Sequence, residues 1–195
     1  MNINCLLCGV GGQGTVLASK LIAFSAMEKG LEVRTAETIG MAQRGGCVVS
    51  HVRTGKGISS PMIPKGEADV IIAFEPAEAV RNIGFLKEGG RVIVNKKPVK
   101  PVTASLTGSE YDGEEMLKYL EDNVSNLNVV DGDDICLKCG SSKVLNIVLL
   151  AAAAKSGALG ITIEELKSAI TKRIPEKFHE LNMTAVYIID KDKLI

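Results

Sequence analysis

The sequence predicts an α/β domain in three layers, α/β/α, with helices on both faces of a mixed, mainly parallel β-sheet. Three observations indicate this class. Short apolar runs typical of buried strands recur in the first half of the chain, for example at 3–10 and 68–75. Stretches with helical spacing of apolar residues separate them. A glycine turn joins the first run to the first helix, which is typical of a Rossmann-like fold.

The first part of the chain predicts a βαβ unit. The run INCLLCGV at 3–10 is almost continuously apolar and ends in glycines, as expected of a strand that is buried on both faces. A helix should follow, since Leu17, Leu21 and Phe24 have helical spacing and Gly30 provides a stop signal. The alternating stretch at 31–37 predicts the second strand.

The next elements are predicted in the order hairpin, strand, helix, strand. Two β-rich runs around the sequence Thr-Gly-Lys-Gly predict an antiparallel hairpin at 47–63. Buried strands are expected at 68–75 and 90–95, with a helix between them. From about residue 113 the chain is expected to be mostly helical.

The C-terminal part carries two helix-start signals. Thr162 and Glu165 have the spacing of a capping box, and Pro175 is expected to open the last helix. We therefore expect a single domain over 1–195, with a core of about 1–155 and a helical C-terminal extension at 156–195.

Composition excludes several classes of function. The chain has 195 residues, of which 46% are hydrophobic and 24% charged, and its formal net charge is zero. This balance suits a globular domain and gives no electrostatic reason to expect nucleic acid or an anionic membrane as a partner. The longest apolar run, at 144–154, is shorter than the roughly 18 residues that a membrane span needs. The N-terminus lacks signal-peptide features, so we expect a cytoplasmic protein.

The five cysteines do not predict a metal site. Four of them form two C-x-x-C pairs, but Cys8 and Cys136 are 128 positions apart, well beyond the spacing of zinc fingers. Cys5 and Cys8 fall within a predicted strand, where positions i and i+3 point to opposite faces. We expect these cysteines to be small buried hydrophobic residues.

The glycine turn GVGGQG is the first candidate site. It satisfies the G-x-G-x-x-G pattern, and such a turn lets backbone N–H groups and a helix N-terminus approach a phosphate. Glu37 lies 23 positions after Gly14, where a dinucleotide-binding domain has a ribose-binding acid. The alternative is that the glycines merely permit close packing of helix and strand. The candidates for a phosphate-binding or subunit-interface loop are Gly9, Gly11, Gly12, Gln13 and Gly14.

The stretch at 36–55 departs from an ordinary dinucleotide-binding domain. An arginine followed by two glycines is suited to hold a carboxylate or phosphate close to the backbone. On an extended strand Cys47, Val49, His51 and Arg53 should share one face. The candidates for anion binding or for a subunit interface are Gln43, Arg44, Gly45, Gly46, Ser50 and Glu75.

Three polar residues have both a functional and a structural interpretation. His51 is the one candidate proton carrier in these motifs, although a lone histidine in an apolar strand is more often structural. Glu75 ends a strand at the edge where α/β sheets place ligands, and it is equally suited to cap the next helix. Asn146 is expected to brace the glycine turn, to contact another subunit, or to be a satisfied core amide.

The segments GVGGQGTVLASKLI and ETIGMAQRGGCVVSHVR, in this order, resemble the gamma-type domain of 2-oxoacid:ferredoxin oxidoreductases. The form MAQRGG is most similar to the indolepyruvate branch of that family. The segments at 63–95 and 140–154 continue the resemblance, which covers roughly residues 1–155.

The resemblance implies a subunit that completes a larger enzyme and is inactive alone. Thiamine diphosphate, iron–sulfur clusters and coenzyme A would be carried mainly by a large partner subunit, so this chain alone would bind no cofactor. The complex would decarboxylate a 2-oxoacid such as indolepyruvate, reduce ferredoxin and form an acyl-coenzyme A. A homodimer is possible when the chain is isolated.

Two alternatives from other classes stay open at this point. One is a free-standing NAD(P)-linked dehydrogenase that uses the GVGGQG turn and Glu37. The other is a non-enzymatic nucleotide-binding scaffold module that shares the fold.

Overall fold

The computed structural model describes residues 2–37, 46–99 and 111–191. A six-stranded sheet with the order β2-β3-β1-β4-β5-β6 forms the middle of the molecule. Its strands are β1 (Ile3–Val10), β2 (Glu32–Glu37), β3 (Cys47–Gly55), β4 (Ala68–Ala73), β5 (Leu86–Asn95) and β6 (Asn126–Val130). The helices are α1 (Thr15–Glu28), α2 (Pro76–Asn82), α3 (Glu114–Asn123), α4 (Gly132–Cys139), α5 (Leu145–Lys155), α6 (Ile163–Arg173) and α7 (His179–Lys191).

The sheet is mixed and mostly parallel, which confirms the predicted fold class. Strands β1, β4, β5 and β6 are parallel neighbours. Strand β3 lies between β1 and β2 and is antiparallel to both. Consequently β1 and β2, which α1 connects, run in the same direction but are not adjacent.

The hairpin predicted at 47–63 is wrong. Strand β3 ends at Gly55 and no strand follows it before β4. The β-rich run after the Thr-Gly-Lys-Gly sequence is held without a strand ladder: the Arg53 guanidinium donates to the carbonyl oxygens of Ser60 and Met62. The antiparallel partners of β3 come instead from β1 and β2.

Helices cover both faces of the sheet, and each face has its own hydrophobic cluster. Helices α1, α4, α5, α6 and α7 contribute to the first cluster, together with Cys5 and Leu7 of β1. Helices α2 and α3 contribute to the second, together with Leu6 and Cys8. Successive residues of β1 thus enter opposite clusters, because side chains alternate along a strand. This strand is buried on both faces, as its apolar run predicts.

Two expectations for the C-terminal half need correction. Strand β6 lies where mainly helix was expected. The polar residues Asn126 and Asn128 make this short edge strand hard to recognise from the sequence. Asn128 accepts a hydrogen bond of 2.7 Å from Arg91 of β5. The last helix begins at His179 and not at Pro175 as expected, because a short 3-10 turn at 176–178 lies between them. The capping box of Thr162 and Glu165 is confirmed. Within the described ranges, no helix has both the length and the apolar character to cross a membrane.

Candidate functional site

The glycine turn, Gly46 and Glu75 lie at one edge of the sheet, where the parallel strands β1 and β4 end. Strand β3 runs the other way and begins there, with Cys47 opposite Val10. The Gly11 N–H donates to the Gly46 carbonyl oxygen at 2.8 Å, so the glycine turn and the start of β3 are in direct contact. Gln43, Arg44 and Gly45, which were predicted to bind an anion, lie outside the described residues.

Gln13 braces the turn from inside. Its Oε1 accepts a hydrogen bond of 2.7 Å from the Val10 N–H, and its Nε2 donates to the Phe74 carbonyl oxygen at 3.0 Å. A Cβ at Gly9 would lie 2.7 Å from Gln13 Oε1 and 2.8 Å from Phe74 Cβ. Gly9 is therefore required by packing, and the Gln13 side chain connects β1 to β4 instead of facing a ligand.

The N-terminus of α1 has no side-chain cap from the described residues. Gly14 is the N-cap residue, with a left-handed backbone at φ 87°, and no side chain caps the helix. The first N–H groups of a helix have no intrahelical partner, so they remain as donors for an anion. Gly12 has φ 101°, and a Cβ there would meet no described atom within 4 Å. The turn thus combines a braced inner side, at Gly9 and Gln13, with an open outer side.

Asn146 of α5 lies beneath this open end. Its side-chain Nδ2 would be 2.9 Å from a Cβ at Gly14. Gly14 is therefore needed both for its left-handed backbone and for the close approach of Asn146. Asn146 thus packs against the glycine turn, and the hydrogen bond of its side chain among the described residues is made to the Ile147 N–H of its own helix.

Glu37, the candidate ribose-binding acid, is engaged within the chain. The Ser19 hydroxyl of α1 donates to its Oε1 at 2.6 Å. A dinucleotide-binding acid must instead accept from the ribose hydroxyls. This contact disfavours the ribose role and ties the end of β2 to α1.

Glu75 is a helix cap. It is 2% exposed, and its Oε2 accepts a hydrogen bond of 3.0 Å from the Glu78 N–H at the start of α2. Tyr111 donates to its other oxygen. Burial, followed by this hydrogen bond, raises the pKa of the Tyr111 hydroxyl, which keeps it protonated as a donor. Of the two interpretations of Glu75, the structure selects the cap.

A polar cluster beside α2 was missed by sequence reasoning. Glu78 is 3% exposed, and its Oε1 lies 3.4 Å from Nη1 of Arg81. Its Oε2 accepts no hydrogen bond from the described part of the chain. The exposed thiol of Cys47 lies 2.6 Å from the same Arg81 nitrogen. A hydrogen bond to Glu78 raises the pKa of the Cys47 thiol. The i,i+3 spacing of Glu78 and Arg81 was the one available signal.

His51 is structural in this arrangement. It is buried within β3 opposite Leu6, away from the edge where the site residues meet. Its Nδ1 accepts a hydrogen bond of 3.2 Å from the Ile63 N–H, and its ring packs edge-on against Phe85. Burial lowers the pKa of His51, which favours the neutral ring that this hydrogen bond requires. Its neighbour Ser50 is buried, in register with Leu7 and Glu37.

The cysteines do not converge on a metal site. Cys5 and Cys8 enter opposite hydrophobic clusters, as their spacing in a strand predicts, and burial raises the pKa of both thiols. Burial also raises the pKa of Cys136 to about 11. Among residues 2–37, 46–99 and 111–191, no three or more His, Cys, Asp or Glu side chains are grouped to hold a metal ion. These residues do not fit an iron–sulfur cluster.

Comparison with known proteins gives consistent matches over nearly the whole chain. Residues 4–187 match the family described as Pyruvate ferredoxin/flavodoxin oxidoreductase. The Indolepyruvate oxidoreductase subunit IorB of Thermococcus kodakarensis is 36% identical over 184 residues, which cover 93% of this chain and 91% of the relative. The Pyruvate/ketoisovalerate oxidoreductases common subunit gamma of the same organism is 28% identical over 179 residues, which cover 91% of this chain and 89% of the relative.

Among solved structures, the gamma subunit of a keto/oxoacid ferredoxin oxidoreductase from Geobacter sulfurreducens has the same fold. The TM-score is 0.69 at 23% sequence identity, and the match covers 98% of this chain and 96% of that subunit.

Proposed function

Because this chain belongs to the pyruvate ferredoxin/flavodoxin oxidoreductase family, we propose that it is the small subunit of a 2-oxoacid:ferredoxin oxidoreductase that acts on indolepyruvate or a related aryl pyruvate. The complex would decarboxylate the 2-oxoacid, transfer two electrons to ferredoxin and release an acyl-coenzyme A.

A comparison with two subunits from one organism supports the proposed substrate class. Thermococcus kodakarensis has an indolepyruvate-type subunit and a pyruvate/ketoisovalerate-type subunit, and both align over about nine-tenths of this chain. The identity is 36% to the first and 28% to the second. The same preference for the indolepyruvate branch follows from the MAQRGG sequence at 41–46.

The chemistry assigned to this chain is binding and positioning. Thiamine diphosphate, which stabilises the carbanion formed when a 2-oxoacid loses carbon dioxide, is proposed to sit on the large partner subunit. The iron–sulfur clusters are proposed to sit there too, since the described cysteines of this chain do not fit them. On this account the isolated chain is inactive, and electrons reach ferredoxin through the partner.

The glycine turn is the proposed contact with that partner or with a phosphate-bearing cofactor. Its inner side is fixed by Gln13, so the turn holds its shape before anything binds. Its outer side presents the uncapped N-terminus of α1, and Gly46 brings the end of the QRGG sequence against Gly11. We assign Arg44 to the same surface, as an anion-binding side chain that the partner or cofactor meets.

The two alternative functions receive less support. A free-standing NAD(P)-linked dehydrogenase needs Glu37 for the ribose, whereas Ser19 already donates to that carboxylate. A scaffold module is disfavoured by the family match at 4–187. We propose a cytoplasmic location, where ferredoxin and coenzyme A are available.

Affinity capture from the native host tests this proposal. The tagged chain is purified under anaerobic conditions, and the proteins that accompany it are identified by mass spectrometry. We expect one large chain in a 1:1 ratio, with thiamine diphosphate and iron bound to it. A host in which this chain is recovered alone or as a homodimer, while 2-oxoacid oxidation is found in a fraction without it, would contradict the proposal.

A further inference from the structure

A cleft of about 330 Å³ opens beside the glycine turn, between α1, the start of α5 and the C-terminal helices. Its walls are mostly apolar. Leu17 of α1 is 38% exposed and Phe178 is 39% exposed, so two large apolar side chains border the cleft without being covered. The apolar wall residues are Leu17, Val144, Ile174, Phe178 and Leu181.

One polar lining residue connects the cleft to the glycine turn. Asn146 lines the cleft and is 4% exposed. Its Oδ1 accepts from the Ile147 N–H at 2.9 Å, whereas no described residue accepts a hydrogen bond from its Nδ2. That nitrogen lies against Gly14 at the uncapped N-terminus of α1. This amide donor is therefore available to a ligand in the cleft, and it lies beside helix N–H groups that also favour an acceptor.

Lys143, three residues before Asn146, adds a positive charge to the lining of the cleft. It lines the cleft, its side chain is exposed, and it forms no ion pair within the described ranges. A helix N-terminus, an amide donor and an ammonium group all favour the same kind of ligand group, a carboxylate or a phosphate. The apolar walls begin one helical turn away, at Leu17.

We propose that this cleft, which we name the Asn146 cleft, binds a small amphipathic anion: a carboxylate or phosphate head group attached to a compact apolar body. The head group accepts hydrogen bonds from Asn146 Nδ2 and from the first turn of α1, and Lys143 pairs with its charge. The body lies between Leu17 and Phe178. The volume is at the lower limit of ordinary small-molecule pockets, which favours a body of one aromatic ring or a short branched chain.

The proposal concerns binding to this chain alone. It rests on the proposed function in one respect, that the glycine turn faces a ligand or partner. Binding is measured without the partner subunit, so a negative result here leaves the role in the oxidoreductase complex untouched, and failure to find a partner leaves this site untouched.

Calorimetric titration of the full chain with four probes tests the site. Two probes carry both parts, 3-phenylpropanoate and phenyl phosphate, and they separate a carboxylate ligand from a phosphate ligand. The other two lack one part each, 3-phenylpropanamide without the charge and propanoate without the ring. We expect at least one complete probe to bind with a dissociation constant of about 1 mM or below, and both incomplete probes to bind at least about tenfold more weakly.

Variants locate the binding. Asn146→Asp replaces the donor by a negative charge of the same size and should weaken the complete probe at least about tenfold. Lys143→Gln, at an exposed position, should weaken it about threefold or more without affecting folding. Lys65→Gln, an exposed lysine before β4 at the opposite edge of the sheet, is the matched control and should bind as the wild type does.

Three results would overturn the proposal. The first is that neither complete probe binds. The second is that the amide or propanoate binds as tightly as the complete probe. The third is that Lys143→Gln and Lys65→Gln have equal affinities. Protection of Leu17 and Phe178 from hydrogen exchange by the partner subunit, without binding of any probe, would assign the Asn146 cleft to protein docking instead.

Discussion

Replacing Gly14 by alanine should destabilise the chain far more than replacing Gly12, although both glycines lie in the same turn. Both have positive φ, at 87° and 101°, where a Cβ costs roughly 1–2 kcal/mol. The surroundings differ. Among the described residues, a Cβ at Gly12 meets no atom within 4 Å, whereas a Cβ at Gly14 lies 2.9 Å from Asn146 Nδ2 and 3.3 Å from Asn146 Cγ.

The Asn146 side chain is buried, and its Cγ and Cβ also lie within 3.4 Å of the added Cβ, so a rotation of the amide group alone does not relieve the contact. Overpacking of this kind adds about 1–3 kcal/mol. We therefore expect Gly12→Ala to lower the free energy of unfolding by roughly 1–2 kcal/mol and Gly14→Ala by roughly 2–5 kcal/mol. In an Asn146→Ala background the extra penalty at Gly14 should disappear, since the clashing atoms are gone.

Urea unfolding followed by far-ultraviolet circular dichroism measures these differences, because the chain has no tryptophan. At a slope of about 2 kcal/mol per molar urea, the expected gap between the two variants moves the midpoint by roughly 0.5–1.5 M. Equal midpoints for Gly12→Ala and Gly14→Ala, or an unchanged gap in the Asn146→Ala background, would refute the packing that we describe at the turn.

Three further predictions follow from the site residues. Burial lowers the pKa of His51 in the folded chain, so the unfolded chain takes up this proton first as the pH falls. The His51 contribution to the free energy of unfolding should therefore be complete above about pH 6.5 and decrease below it. Urea unfolding at several pH values should show this slope reduced in His51→Gln and retained in His179→Gln. Glu75→Ala removes the cap of α2 and the acceptor of a tyrosine hydroxyl, so thermal or urea unfolding should show a decrease of about 2–3 kcal/mol in the free energy of unfolding. Glu75→Gln keeps one acceptor oxygen and should show at most half of that decrease. A decrease below about 0.5 kcal/mol in Glu75→Ala would contradict the cap. Arg44→Ala should leave the melting temperature nearly unchanged and reduce 2-oxoacid-dependent electron transfer in the reconstituted complex at least about tenfold. This corresponds to an activation free energy higher by about 1.4 kcal/mol. Arg34→Ala, on the edge strand β2, should leave both quantities unchanged, and wild-type turnover by an assembled Arg44→Ala complex would place Arg44 outside the site.

The parts of the fold that follow from local signals could be predicted from the sequence. The run at 3–10 and the glycines after it specify β1 and the start of α1 within a few residues, because burial on both faces and left-handed turns leave direct marks in the sequence. The capping box at Thr162 is equally local. The pairing of β3 is not, since its partners β1 and β2 are separated from it by a helix or a long connection. A turn-like sequence after β3 therefore suggested a local hairpin that does not form.

In the candidate site, too, local features could be predicted from the sequence and long-range contacts could not. The glycine turn was expected from a motif that is contiguous in sequence. Its contact with Gly46 was not expected, because it joins two motifs that lie 35 residues apart. The role of Glu75 was undecided because its second partner, Tyr111, is 36 residues away. The buried carboxylate of Glu78 was missed for the same reason, since Cys47 and Arg81 approach it only once β3 and α2 are packed together.

The most direct test of the central claim is reconstitution of ferredoxin reduction from the large subunit and this chain under anaerobic conditions. Coenzyme A and a 2-oxoacid are supplied, and this chain is added in increasing amounts. We predict that neither subunit is active alone, that the rate rises until the two are equimolar, and that indolepyruvate supports a rate at least about tenfold above that of pyruvate. Full activity of the large subunit without this chain would contradict the account, and a higher rate with pyruvate would contradict the proposed substrate class.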